Sequence, residues 1–118
     1  MLYTSYFGNL RKIPEGYKTV AICAKAPDWY TGAVYKKLAP TYDIFMDYKN
    51  TGDSVKFMAD YKSEVLSKLN PLEVVNELQT LAEGNDIVLL CYEKSGEFCH
   101  RNIVAEWLTA GGFYCKEL

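Results

Sequence analysis

The feature that most constrains the fold is a run of six residues, Asp86 to Cys91 (DIVLLC), which is wholly apolar after its first residue. Such a run is too short for a buried helix and is typical of a strand covered on both faces, as in a parallel sheet. A second run, Thr19 to Ala24 (TVAICA), has the same character and stops before Pro27. The sequence therefore predicts two buried strands.

Helical patterns alternate with these strands. Apolar residues recur at steps of three and four from Val55 to Leu69 and again from Cys99 to Ala110. Between them, Asn70 followed by a proline has the features of a helix N-terminus, and this helix is expected to end by Gly84. Further strands are predicted at residues 1–6 and 113–116.

The segment from 28 to 50 gives a mixed signal, with a short helix predicted at 32–38 and no clean period at 42–48. Strands that alternate with helices favour an α/β fold. We expect a single α/β domain over residues 1–118, with three layers: a mostly parallel sheet of about four strands and helices on its faces.

Composition limits the function classes. The chain has 13 basic and 15 acidic residues, a net charge of −2 and a pI of about 5.4, which excludes a protein held to nucleic acid by its net charge. No apolar stretch approaches the roughly 20 residues of a membrane span, and no secretion signal is apparent. We expect a cytoplasmic protein whose four cysteines are thiols: Cys23, Cys91, Cys99 and Cys115.

The segment with the most chemistry is residues 91–101 (CYEKSGEFCHR), between a predicted strand and the helix that follows it. Ligands of open α/β sheets bind at the carboxyl ends of strands. The unpaired amides of a helix start favour an anion, and Arg101 could bind one through two donors. The location therefore predicts a site for an anionic or phosphorylated small molecule, with a nucleotide as one candidate.

Cys99 lies at the helix start beside His100 and Arg101, surroundings that stabilise a thiolate and suit a nucleophile. His100 is the only histidine and suits proton transfer, with Glu93 or Glu97 as its carboxylate partner. A simpler interpretation stays open: Cys99 packs as a small apolar residue, His100 caps a turn, and Arg101 forms a surface pair with Glu97.

Ser5, Asn9 and Arg11 follow the first predicted strand and would share the ligand-binding edge of the sheet with Cys91 and Arg101 if that strand is parallel and central. The residues leave open whether the protein is an enzyme, and they identify no cofactor.

Two alternative functions depend on other patterns. Cys91, Cys99 and His100 could bind a metal ion, although the chain lacks the second closely spaced ligand pair usual in zinc sites, so no metal ligands are predicted. A non-catalytic module that binds nucleic acid or protein is the other alternative, because aromatic residues stack on bases and lysines meet phosphates. Its residues would be Trp29, Tyr30, Tyr35, Tyr42, Tyr48, Lys25, Lys36, Lys37 and Lys49.

Three stretches, YTSYFGNLRKIP, CAKAPDWYTGAVYKKLAPTYD and LLCYEKSGEFCHRNIVAEWL, resemble the domain-of-unknown-function family DUF488, found in small bacterial and phage proteins. The resemblance implies a compact α/β domain but no particular reaction. Many relatives carry a Gly-His pair after the first strand, whereas this chain has Gly8-Asn9. The residues that the resemblance implies at one site are Cys91, Glu93, Cys99, His100, Arg101 and Glu106.

Overall fold

The computed structural model describes residues 1–93 and 98–118. The strands in this part of the chain are β1 (Leu2–Tyr6), β2 (Tyr17–Ala21), β3 (Ala33–Val34), β4 (Asp86–Cys91) and β5 (Cys115–Glu117). They form one sheet in the order β3-β2-β4-β1-β5, and each neighbouring pair runs parallel. The α/β class and the parallel sheet are confirmed, with five strands where the sequence predicts about four.

Strand β4 lies at the centre of the sheet and is the most buried element. Its residues from Ile87 to Cys91 are at most 1% exposed, as expected for a wholly apolar run. Side chains alternate between the two faces of the sheet. Ile87 and Leu89 belong to the larger apolar cluster, whereas Val88 and Leu90 belong to the smaller one on the opposite face.

The helices are α1 (Tyr42–Thr51), α2 (Ser54–Glu64), α3 (Pro71–Leu81) and α4 (His100–Ala110). Their buried apolar side chains all belong to the larger cluster. The smaller cluster is covered by the short 3-10 helix Phe7–Lys12 and by the loop after β2. No helix in the described part of the chain has the length and apolarity needed to cross a membrane.

The sequence misplaces several elements between β2 and α3. The predicted short helix at 32–38 is instead strand β3 followed by the 3-10 turn Lys36–Leu38. Helix α1 is not predicted at all, yet the Thr41 hydroxyl caps it by accepting a hydrogen bond from the Ile44 amide. The predicted helix start at Asn70 is found, because its side chain accepts hydrogen bonds from two amides of the first turn.

Tyr61 on α2 connects the helical layer to the turn before α1. It is fully buried, and its hydroxyl donates a hydrogen bond to the Leu38 carbonyl. Burial raises the pKa of Tyr61, so the hydroxyl stays protonated and remains a donor.

We expect Tyr61→Phe to lower the free energy of unfolding by about 1–3 kcal/mol, because the buried Leu38 carbonyl loses this donor. Urea denaturation measures the change. Tyr114→Phe is the matched control, since Tyr114 is 61% exposed and its hydroxyl is not needed by a buried group. Equal stability of both variants would show that this hydrogen bond contributes nothing.

Candidate functional site

A pocket of about 720 Å³ opens where β2 and β4 end and α4 begins. Its sulfur-containing and polar wall comes from the ends of these elements and consists of Cys23, Lys25, Cys91, Glu93, Cys99 and His100. Its aromatic wall comes mainly from α1 and α2 and consists of Tyr42, Phe45, Tyr48, Phe57, Tyr92 and Phe98. The carboxyl edge of a parallel sheet is where ligand sites of α/β proteins are found.

Cys91 and Cys99 lie together at the inner end of this pocket. Cys91 is the last residue of β4, Cys99 is the N-cap residue of α4, and their sulfur atoms are joined in a disulfide. Both side chains are almost completely buried, with Cys99 2% exposed. The structure therefore brings together two of the sequence-predicted site residues. The expectation of four thiols is wrong for this pair, because the thiols of Cys91 and Cys99 are joined in a disulfide.

The other two cysteines, Cys23 and Cys115, are free thiols and are expected to be less reactive than an ordinary exposed thiol. Burial raises the pKa of the Cys23 thiol, although Cys23 lines the same pocket. Burial, together with the Glu117 carboxylate, raises the pKa of Cys115 to about 12. Because the thiolate is the reactive form, both are expected to be inert at neutral pH.

His100 is held in one orientation and one tautomer. Its Nε2 lies 2.7 Å from the backbone carbonyl of Ile22, and since a carbonyl oxygen only accepts, Nε2 carries the proton. Burial, aided by the positive charge of Arg101, lowers the pKa of His100 to about 4, which outweighs the opposing effect of the Ile22 hydrogen bond. The imidazole is therefore neutral at pH 7. Its unprotonated Nδ1 lies 3.9 Å from Cys99 Sγ.

Arg101 is fully buried next to Cys91 Sγ and does not form part of the pocket wall. Its Nε and Nη2 donate to the two carboxylate oxygens of Glu117, at 3.1 and 3.0 Å. Its Nη1 donates to the Glu93 backbone carbonyl and lies 3.6 Å from Cys91 Sγ. These contacts favour a positioning role for Arg101, and the anion-binding role stays a prediction.

The alternative interpretation of Arg101 as half of a surface pair is wrong, because the side chain is inside the protein. The carboxylate proposed for that pair, Glu97, lies outside the described residues. Glu117 is the partner instead, and no local pattern predicts this pair, because Glu117 is 16 residues away on the edge strand β5.

Ser5, Asn9 and Arg11 do not line the pocket. Ser5 is fully buried in β1 and accepts a hydrogen bond from the Asn9 side chain, at 3.1 Å. Arg11 is exposed on the short 3-10 helix that covers the smaller apolar cluster. Glu106, which the family resemblance implies at the site, lines a separate hollow between α2 and α4. A ligand-binding role for Ser5, Asn9 or Arg11 stays a prediction without support from this pocket.

The predicted cluster of aromatic residues and lysines separates into three groups. Tyr42, Tyr48 and Lys25 line the pocket. The rings of Trp29 and Tyr30 pack against Phe7 instead, and Tyr35 is buried with its hydroxyl donating to Glu77. Of this cluster, only Tyr42, Tyr48 and Lys25 therefore line the pocket.

The aromatic wall also contains four rings that the sequence did not predict at a site, namely Phe45, Phe57, Tyr92 and Phe98. Phe98 packs against Tyr48 and Phe57 with ring centroids 5.1 and 5.2 Å apart, and Phe45 lies on the same side of the pocket. Phe45 and Tyr48 lie on α1, the helix without a clear sequence period, so their common orientation could not be read from spacing.

No curated protein and no solved structure matches this chain. A family model described as "Active DUF488-N3 subclade" matches residues 5–112, from within β1 to the turn after α4. The match covers nearly the whole chain and includes the strand end and helix start that form the pocket. The chain belongs to the DUF488-N3a family.

Proposed function

We propose that the protein is an enzyme that binds a small anionic molecule with a flat ring, such as a nucleotide, and acts on it through the reduced thiol of Cys99. The observation that carries this proposal is the unprotonated Nδ1 of His100, 3.9 Å from Cys99 Sγ at the inner end of the pocket. The pocket volume of about 720 Å³ is in the usual range for small-molecule sites. The description of the matching family as active also favours catalysis.

His100 would take the thiol proton as Cys99 becomes a nucleophile. The imidazolium then faces a thiolate, so the pKa that matters is that of the coupled pair and not of the isolated ring. The new bond forms between Sγ and an electrophilic atom of the ligand while the bond to the leaving group breaks. The proton on Nδ1 passes to that leaving group, and water then releases the second product.

Glu93 supports this chemistry as an exposed residue of the pocket wall. Its backbone carbonyl is fixed by Arg101, and its carboxylate belongs to an exposed residue that lines the pocket. A carboxylate in this place can exchange protons with water and orient the attacking water molecule. We therefore assign Glu93 a role in proton transfer with water, since the carbonyl of Ile22 and not a carboxylate orients His100.

The ligand class follows from the walls of the pocket. Tyr48 and Phe98 offer ring faces and edges against which a flat ring can stack. Lys25 is exposed at the same pocket and supplies a positive charge for a phosphate or carboxylate. Arg101, in contrast, is already paired with Glu117. We therefore place the anionic end of the ligand at Lys25.

The proposed nucleophile exists only after the disulfide is reduced. In the structure Cys99 is bonded to Cys91, and a disulfide sulfur has no thiolate to offer. A reducing cytosol, where we expect the protein to work, would supply the dithiol form. Catalysis should therefore depend on a reductant.

Reduced protein is expected to react with iodoacetamide at Cys99 at least about tenfold faster than an ordinary thiol at about pH 6.5, well below the usual thiol pKa of about 8.5. Peptide mass spectrometry locates the label. Cys99→Ser should lose it, and Cys23→Ser, which changes another thiol of the same pocket, should keep it. Unreduced protein should not react at Cys99, and equal labelling of all four cysteines would contradict the nucleophile.

The ligand class is tested by measuring, with isothermal titration calorimetry, how tightly the reduced protein binds a nucleoside and the corresponding nucleoside monophosphate. Tyr48→Ala is expected to weaken binding of both by about tenfold, through lost stacking. Lys25→Ala should weaken only the monophosphate, by a similar factor. Tyr114→Ala, an exposed tyrosine outside the pocket, is the control. If no nucleotide binds, the ligand class is wrong even where the thiol is reactive.

The pKa of His100 predicts a pH dependence of stability. Its folded value of about 4 is below the unfolded value of about 6.5, so the unfolded chain binds more protons between these pH values. Stability is therefore full above about pH 6.5 and falls as the pH drops towards 4. Urea denaturation of the wild type should show a loss up to about 3 kcal/mol larger than that of His100→Gln, which does not titrate. Parallel pH profiles would contradict the neutral, buried imidazole.

A further inference from the structure

We propose that Cys91, Cys99 and His100 of the reduced protein bind a soft divalent metal ion of the zinc type, with one coordination position open to the pocket. The ligand atoms of the three side chains all lie within 4.8 Å of one another, and all three residues are buried. This inference does not require Cys99 to be a nucleophile, because a metal-bound thiolate is a different state of the same residue.

The hydrogen bond of His100 to the main chain is the arrangement found in metal-binding histidines. These residues usually donate one ring N–H to a carboxylate or backbone carbonyl, which fixes the tautomer and directs the other nitrogen at the metal. Here Nε2 donates to the Ile22 carbonyl, and Nδ1 is left facing Cys99 Sγ at 3.9 Å. Tetrahedral zinc places neighbouring nitrogen and sulfur ligands about 3.5 Å apart, close to this distance.

The backbone positions of the two cysteines also suit a bridging ion. Their Cα atoms are 7.4 Å apart, which is wide for a disulfide, where roughly 4.4–6.8 Å is usual. Two thiolates on one zinc ion lie roughly 3.8 Å apart, farther than two bonded sulfurs. Cys91 and Cys99 therefore need not move closer at the backbone to hold an ion between their side chains.

The charges of the site balance when a divalent cation is present. Two thiolates neutralise the ion, which matters because uncompensated charge is costly in a buried place. The Nη1 group of Arg101, 3.6 Å from Cys91 Sγ, can donate to that thiolate, while the charge of Arg101 is paired with Glu117. Thiolate and imidazole ligands favour zinc-type ions over magnesium or calcium.

The three donors leave a position for a water molecule or a ligand atom on the pocket side, where all three residues form part of the wall. Three protein ligands and one open position are typical of catalytic zinc, whereas structural zinc has four protein ligands. No metal ligands are predicted from the sequence, because the chain lacks the second closely spaced ligand pair usual in zinc sites. An open site needs no such pair.

Titration with Co²⁺ as the only metal tests the proposal. The protein is kept reduced by a phosphine, and oxygen is excluded. We expect one equivalent to bind, with the absorption of tetrahedral cobalt and a thiolate-to-cobalt charge-transfer band, and Zn²⁺ to displace it. Cys91→Ser and Cys99→Ser should each weaken binding at least about 100-fold, and His100→Gln about 10- to 100-fold. Cys23→Ser is the matched control and should bind like the wild type.

Absence of a saturable spectrum in the reduced wild type would overturn the metal site, whatever the variants do. Wild-type-like binding by Cys91→Ser or Cys99→Ser would overturn it as well, and circular dichroism verifies that each variant is folded. Labelling with iodoacetamide separates this proposal from the proposed function. Cobalt binding without selective labelling of Cys99 contradicts the nucleophile alone, and selective labelling without cobalt binding contradicts the metal site alone.

Discussion

The pairing of Arg101 with Glu117 is the interaction on which the geometry of the site depends. A fully buried guanidinium would be strongly destabilising without a carboxylate, and the same side chain also fixes the backbone of Glu93 and contacts Cys91 Sγ. Arg101 therefore holds together the first turn of α4, the strand β5 and the segment after β4. Because Cys99 and His100 begin that helix, their positions follow from a residue outside the wall of the pocket.

The sequence predicted the bounds of secondary-structure elements well where the local pattern and the tertiary packing agree. The run Asp86–Cys91 has the predicted bounds because its central place in the sheet requires apolar residues on both faces. Helix α3 begins at Pro71 as its cap predicts. The repeat of apolar residues Leu72, Val75, Leu78 and Leu81 predicts one buried face, of which Val75 and Leu78 are buried while Leu72 and Leu81 are 55% and 41% exposed. Val74 is buried in their place, because periodicity alone does not decide between adjacent faces of a short helix.

The candidate site was less predictable because its partners are distant in sequence. The place of Cys91, Cys99 and His100 between a strand and a helix predicts that they lie close together, and their sulfur and nitrogen atoms are within 4.8 Å of one another. The carbonyl that sets the His100 tautomer belongs to Ile22, just after β2, and it lies nearby only because β2 is next to β4 in the sheet. Strand order is a property of the whole fold and could not be read from the chain.

In the structure Cys91 and Cys99 form a disulfide. The dithiol and the metal-bound form that we propose would use the same two sulfur atoms, so the three states exclude one another. In the disulfide form the Ile22 carbonyl holds His100 Nε2, and we expect this hydrogen bond to persist in the other two forms because it does not involve the sulfurs. In our proposals, Nδ1 accepts the thiol proton in the dithiol form and a cation in the metal-bound form. The fold holds one imidazole nitrogen beside a pair of sulfurs, so under these proposals the redox conditions and the metal supply around the protein would select the state.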